Sequence, residues 1–219
     1  GLKARHVDLI NALAGLNPNT VVNLIGGSMI MTSDWDSRVP AILHNWYAGM
    51  EGGAALAAIL FGRVNPSGKL PFTVPGKVAD LPYFSSTDRE IDYDIYHGYT
   101  LLDKHNVEPL YAFGFGLSYT SFHLHNHQIS SGNGCIQVSV EVSNIGAMDG
   151  EEVVQVYVGC KASAIERQRK LLKGFEKVLV RAGQQETVII TVPLADLRYY
   201  APDQQRFVFE AASYEIYVG

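Results

Sequence analysis

Trp46-Tyr47-Ala48-Gly49-Met50-Glu51-Gly52-Gly53, followed by Phe61-Gly62-Arg63-Val64-Asn65-Pro66-Ser67-Gly68-Lys69-Leu70-Pro71-Phe72, sets the architecture of the front of the chain. Between the two runs, Leu56, Ile59 and Leu60 recur at helical spacing. Glu51 to Phe61 therefore reads as a helix, with Gly62 placed to cap its end. Pro40 to Tyr47 reads as the strand before it. Lys69 to Val74 reads as a short strand after it, near a sheet edge because Pro71 has no N–H to give to a ladder. Strand, helix and strand in succession are the grammar of an α/β layer.

Upstream, Val7, Ile10, Leu13 and Ala14 give Lys3 to Ala14 a helical face, with Gly15 as its stop and Asn17-Pro18-Asn19 as a turn. Val21-Val22-Asn23-Leu24-Ile25 is a β-branched run suited to a strand covered on both faces, and Gly26-Gly27 ends it. Three strands and two helices enclose little core, and a parallel sheet needs both faces covered. Residues 1–75 therefore read as the end of a larger α/β domain. Residues 76–118 show no strong period and are dense in tyrosine (Tyr83, Tyr93, Tyr96, Tyr99, Tyr111), with a short helix over Tyr99 to His105. A loop of this length in a compact domain is functional or draped over another surface.

From Phe122 the pattern changes to period two. Strands are expected at Phe122–Ile129, Ile136–Ser143, Glu152–Val158, Leu171–Val180, Thr187–Pro193, Arg206–Phe209 and Tyr214–Val218, separated by turns such as Gly132-Asn133-Gly134, Asn144-Ile145-Gly146 and Ala182-Gly183. Short, regularly spaced strands without helices argue for a β-sandwich. The division expected is thus a partial α/β region over 1–118 and a β-sandwich over 119–219.

The composition, 47% hydrophobic and 18% charged with a net charge of −5, suits a folded chain rather than a disordered one. Basic residues bunch only at Arg167, Arg169 and Lys170, which read as a solvated strand end and not a nucleic-acid surface. No apolar run approaches the ~20 residues of a membrane span. Cys135 and Cys160 are too few for a disulfide framework. They lie near opposite ends of an expected strand pair, so both a bridge and two small buried hydrophobes stay open.

Several blocks resemble family 3 of the glycoside hydrolases, the β-glucosidase family. They are Asn17-Pro18-Asn19-Thr20-Val21-Val22 with Gly26-Gly27, the Trp46 to Phe72 block, and Glu108-Pro109-Leu110-Tyr111-Ala112-Phe113-Gly114-Phe115-Gly116-Leu117-Ser118-Tyr119-Thr120. Gly150 to Val158 and Leu172 to Val178 are similar to that family's fibronectin type III-like terminal domain. Departures are Ala48 and Ala112 where proline is usual, Thr100 where arginine is common, and Ala211-Ala212-Ser213 in place of a glycine-bearing turn.

The resemblance implies a partial α/β sandwich domain followed by a fibronectin type III-like β-sandwich. It also implies a retaining glycosidase reaction, in which one carboxylate attacks the anomeric carbon and a carboxylic acid protonates the leaving oxygen, roughly 5–5.5 Å apart. It places the aspartate nucleophile on an upstream barrel and the acid/base glutamate shortly before the helix near Lys3. Neither role can be carried onto a residue of this chain, so no catalytic, cofactor-binding or metal residue is assigned. The partners implied are an upstream barrel-bearing polypeptide and a β-glucoside or oligosaccharide substrate, with no cofactor, nucleic acid or membrane. A homodimer and the cellular compartment are left open.

Glu51 reads as a helix cap. Asp34 and Asp36 flank Trp35 and suit a turn or a substrate rim. Asp88, Glu90, Asp92 and Asp94 read as solvated loop acids, and Glu151 and Glu152 as structural. Trp35, Trp46 and Tyr47 read as core aromatics whose faces could otherwise stack on a pyranose ring. His123, His125 and His127 alternate along one strand, which would aim all three rings one way and read as an exposed face without the ligands of a zinc site. A non-catalytic glycan-binding module is the second reading. A nucleotide-binding α/β domain is the third, disfavoured because neither Gly26-Gly27 nor Gly114-Phe115-Gly116 forms a phosphate loop.

Overall fold

The computed structural model describes all of residues 1–219 and divides into two compact units. One contains Gly1–Val64 and Leu70–Phe115; the other contains Asn65–Lys69 and Gly116–Gly219.

In the first unit, helix α1 (Ala4–Leu16) leads to strand β1 (Val21–Leu24), which pairs in parallel with β2 (Ala41–His44) in the register Val21 to Ala41 and Leu24 to His44. Helix α2 (Gly52–Leu60) follows, and then the short helix α3 (Tyr99–His105). Helix α1 runs past Gly15, whose conformation did not have to break; it stops at Asn17, whose N–H bonds Leu13 O before Pro18. Gly62 takes a positive φ of 68° and donates to Ile59 O, closing α2 as expected of a residue just past the helix end.

The strand expected over Lys69–Val74 does not form. Only Val74 bridges Tyr111, and Leu70 exchanges two backbone bonds with Gly114 and Phe115. Pro71 removes the donor that a longer ladder needs.

The sheet has just two strands, and its apolar surroundings are open. Helix α1 buries no residue and leaves Leu9, Leu13 and Leu16 exposed; α2 buries only Gly52; Val21 and Ile25 of the β1 segment are also exposed. A two-stranded parallel sheet with bare apolar flanks is what the end of a larger layer looks like.

The second unit is a β-sandwich. One sheet orders β3 (Phe122–Gly132), β4 (Cys135–Asn144) and β7 (Gln185–Pro193); the other orders β10 (Ser213–Val218), β5 (Gly150–Lys161) and β6 (Leu171–Val180). A small hairpin, β8 (Tyr199–Ala201) with β9 (Arg206–Val208), stands apart. Alternation builds the core: Ile136, Val138, Val140 and Val142 of β4 meet Val154, Val156 and Val158 of β5 and Val188, Ile190 and Val192 of β7. Each such side chain contributes roughly 1.5–3 kcal/mol when fully buried.

Strands β4 and β5 lie in different sheets and do not form the strand pair expected to bring Cys135 and Cys160 together. Cys135 and Cys160 are both free thiols; Cys135 donates to Gly132 O and Cys160 to Glu210 Oε2.

Candidate functional site

In open α/β layers, ligands gather outside the carboxyl ends of parallel strands. At that edge of β1 and β2, Asn45 N–H donates to Leu24 O and His44 Nε2 lies 3.2 Å from Gly26 O. A carbonyl only accepts, so Nε2 carries the proton. The His44 ring meets Trp46 edge-on at 4.3 Å and Phe72 at 5.6 Å, and Trp46 meets Phe72 at 5.5 Å. Trp46 holds φ at +48°, a left-handed conformation costly for a bulky residue and therefore imposed by its surroundings. Gly27 lies under the Tyr47 ring, where a Cβ would come within 2.8 Å of Cε2. Tyr47 is 77% exposed and Met50 fully exposed. The edge is an aromatic shelf: two packed rings anchor Trp46, and Tyr47 lies open beside them.

Trp35 behaves differently. It is 1% exposed, with its backbone N–H on Thr32 O, and is a core residue. Its indole Nε1 and the Thr32 hydroxyl are buried without a hydrogen-bond partner. Asp36 accepts from Ser37 N–H at 2.7 Å and from the Tyr111 hydroxyl at 3.3 Å. Burial first, and the Asp36 charge second, push the Tyr111 hydroxyl above its ordinary range. Asp34 is exposed.

The long loop is organised by its own side chains. Tyr83 donates to Asp88 at 2.8 Å, Tyr93 donates to Tyr83 O at 2.9 Å, and Asp94 accepts from Tyr96 N–H and from Lys104. Those two bonds, the backbone one first, hold the Asp94 carboxyl below its ordinary value. Glu90 and Asp92 are exposed. Thr100, in the place where arginine is common, is buried and closes a ring with His97, donating to His97 O and accepting from His97 N–H. It fixes the entry to α3.

Other expected roles change. Glu51 occupies the N-cap of α2 but makes no cap hydrogen bond, since its longer side chain is poorly suited to the reach that Asp or Ser has. Its backbone carbonyl accepts from Ala55 N–H, and its side chain acts on the helix end by charge alone. The three histidines are not aligned: a bulge between His125 and Gln128, with Asn126 at φ +52°, breaks the alternation before His127. His123 and His125 do share a face, with rings stacked at 5.1 Å. Nε2 of His125 lies 2.8 Å from Ser143 Oγ and Nδ1 lies 3.5 Å from Glu141. No group of three or more His, Cys, Asp or Glu is arranged to hold a metal ion.

Arg167 is only partly solvated. It is partly buried against Glu210 at 3.1 Å and donates to Leu197 O. Glu151 and Glu152 are structural, paired with Lys177 at 2.6 Å and with Lys69 at 2.7 Å. No helix is long and apolar enough to cross a membrane.

The comparisons with known proteins agree with this architecture. The family described as "Glycosyl hydrolase family 3 C-terminal domain" matches residues 1–119, and "Fibronectin type III-like domain" matches residues 152–219. The chain belongs to glycosyl hydrolase family 3. Among curated relatives, beta-glucosidase BoGH3A of Bacteroides ovatus is 36% identical over 225 residues, covering 97% of this chain and 30% of its own length. Thermostable beta-glucosidase B of Acetivibrio thermocellus is 38% identical over 220 residues, covering 96% of this chain and 29% of its own. Among solved structures, a beta-D-glucoside glucohydrolase from Trichoderma reesei superposes with a TM-score of 0.93 at 28% identity, over 99% of this chain and 34% of that one. Beta-glucosidase 3B from Thermotoga neapolitana, in complex with α-D-glucose, gives 0.92 at 34% identity over 100% and 32%. The chain thus spans about a quarter to a third of the length of the proteins it matches.

Proposed function

We propose that this chain is the C-terminal part of a retaining β-glucosidase that releases terminal non-reducing β-D-glucosyl residues. Its nucleophile and acid/base would be supplied by an upstream barrel-bearing polypeptide. The observation that carries this reading is the pairing of family 3 membership with the open flanks of β1, α1 and α2.

Asp94, Glu151 and Glu210 fit support rather than catalysis. A general acid needs a raised pKa. The carboxyls of Asp94, Glu151 and Glu210 are instead held below their ordinary values by hydrogen bonds. The aromatic shelf at Trp46 and Tyr47 is the surface best suited to a sugar ring, and its role would be to wall the glucoside site that the barrel floors.

Native mass spectrometry tests the reading. A complex well above the 24.0 kDa of this chain, holding a second polypeptide, is expected. A stable particle built only of this chain, binding oligosaccharide, would replace the reading with that of a glycan-binding module.

A further inference from the structure

We propose that Asn65-Pro66-Ser67-Gly68-Lys69 is a built-in strap of the β-sandwich, on which the end formed by the starts of β3 and β5 depends. These residues lie between Val64 and Leu70 of the first unit, yet they group with the sandwich. The family 3 match assigns them to the front region, and the fibronectin-like match begins only at residue 152.

The bonds are specific at each position. Asn65 donates to Asp149 O at 3.1 Å, and its Oδ1 accepts from Ser118 Oγ at 2.9 Å and Tyr119 N–H at 2.8 Å. One amide thereby joins the segment entering β3 to the segment entering β5. Ser67 donates to Glu151 Oε2 at 3.0 Å. Lys69 reaches Glu152 at 2.7 Å and Gly116 O at 3.1 Å, with side-chain exposures of 18% for Lys69 and 15% for Glu152. An ion pair so enclosed is costly to leave half-made.

Two glycines record how closely the strap is held. A Cβ on Gly150 would stand 2.7 Å from Asn65 Nδ2, and one on Gly116 would collide with the backbone oxygen of Gly68. Neither glycine has a positive φ, so close approach, not backbone conformation, requires it. Removing the strap would leave Glu152, the Tyr119 N–H and the Asp149 carbonyl without these partners. The sandwich is accordingly not a self-sufficient module beginning at residue 116.

Hydrogen exchange on the full chain tests this with Asn65→Ala and the milder Ser67→Ala. Asn65→Ala should speed exchange of the amides at Tyr119–Leu124 and Glu151–Val154 by about tenfold, the loss expected when an amide's partners go unpaired. Ser67→Ala should give a smaller rise confined to Glu151–Val154, and α1, β1 and β2 should keep wild-type rates in both. Unchanged sandwich rates in both variants, or an equal rise throughout the first unit, would overturn the proposal. If Asn65→Ala unfolds the whole chain, the Ser67→Ala pattern decides.

Discussion

Asn144→Ala should be among the most damaging substitutions in the sandwich. Asn144 is 1% exposed and uses its full hydrogen-bonding capacity. Its Nδ2 donates to Met148 O at 2.8 Å and Val180 O at 2.9 Å, and its Oδ1 accepts from Thr120 Oγ1 at 2.6 Å and Gly146 N–H at 3.1 Å. Alanine orphans four groups. The Val180 carbonyl belongs to a fully buried residue and bears the whole desolvation penalty, about 1–3 kcal/mol. The other three belong to half-buried residues that water can partly reach, at about 0.5–1 kcal/mol each. The sum is about 4 kcal/mol, a large share of the 5–15 kcal/mol that holds a typical domain. Urea unfolding of the full chain, followed by tyrosine fluorescence, measures it. With a slope of about 1–2 kcal/mol/M, the sandwich midpoint should fall by about 2–4 M. A loss below about 1 kcal/mol, with the slope unchanged, would refute the claim that this amide ties β4, β5 and β6 together.

Other consequences can be measured as directly. Gly174→Ala would put a Cβ 2.5 Å from Ile190 Cγ2 across the facing sheets and should cost about 1–3 kcal/mol. Combining it with Ile190→Ala, which removes that methyl, should cost less than the sum of the two changes; strict additivity in a double-mutant cycle would contradict the contact. Glu210 accepts from Ala164 N–H and Ser163 Oγ, and these, with Arg167, hold its carboxyl below the ordinary value. Its folded pKa being depressed, the stability it gives residues 163–167 is present above about pH 4.3 and lost as pH falls through the folded pKa. Exchange at the Ala164 amide should therefore accelerate, beyond its intrinsic pH dependence, only below that value; a protection factor constant from pH 6 to 3 would speak against it. In the assembled enzyme, Tyr47→Ala should raise KM for an aryl β-glucoside about fivefold with kcat little changed, the mark of lost ground-state contact. An unchanged KM would remove Tyr47 from the sugar wall.

Local pattern was enough for much of the fold. Strand β6 and helix α3 occupy the spans expected of them, Leu171–Val180 and Tyr99–His105. The period-two pattern of β4 matches its alternating burial, with Ile136, Val138, Val140 and Val142 facing the core. What escaped was decided by contacts distant in sequence. Asn65 lies 84 residues from Asp149, and nothing local announces that it serves the sandwich. Asn144 read as a turn residue, because Asn-Ile-Gly is turn chemistry whether or not the amide is buried. The left-handed Asn126 that displaces His127 is a single-residue event, invisible to a period-two count.

The candidate site was legible in its residues more than in their states. Trp35, Trp46 and Tyr47 look alike in the sequence, and only burial separates the core tryptophan from the exposed tyrosine. The positive φ of Trp46 has no sequence signature.

The most direct test of the account is turnover of an aryl β-D-glucoside, with the first-formed sugar identified by NMR, for the purified chain and for the chain joined with a barrel-bearing polypeptide. The expected result is no hydrolysis above buffer by the chain alone, and β-glucose as the first product once the barrel is present. Hydrolysis by the chain alone, or α-glucose as the first product, would contradict it.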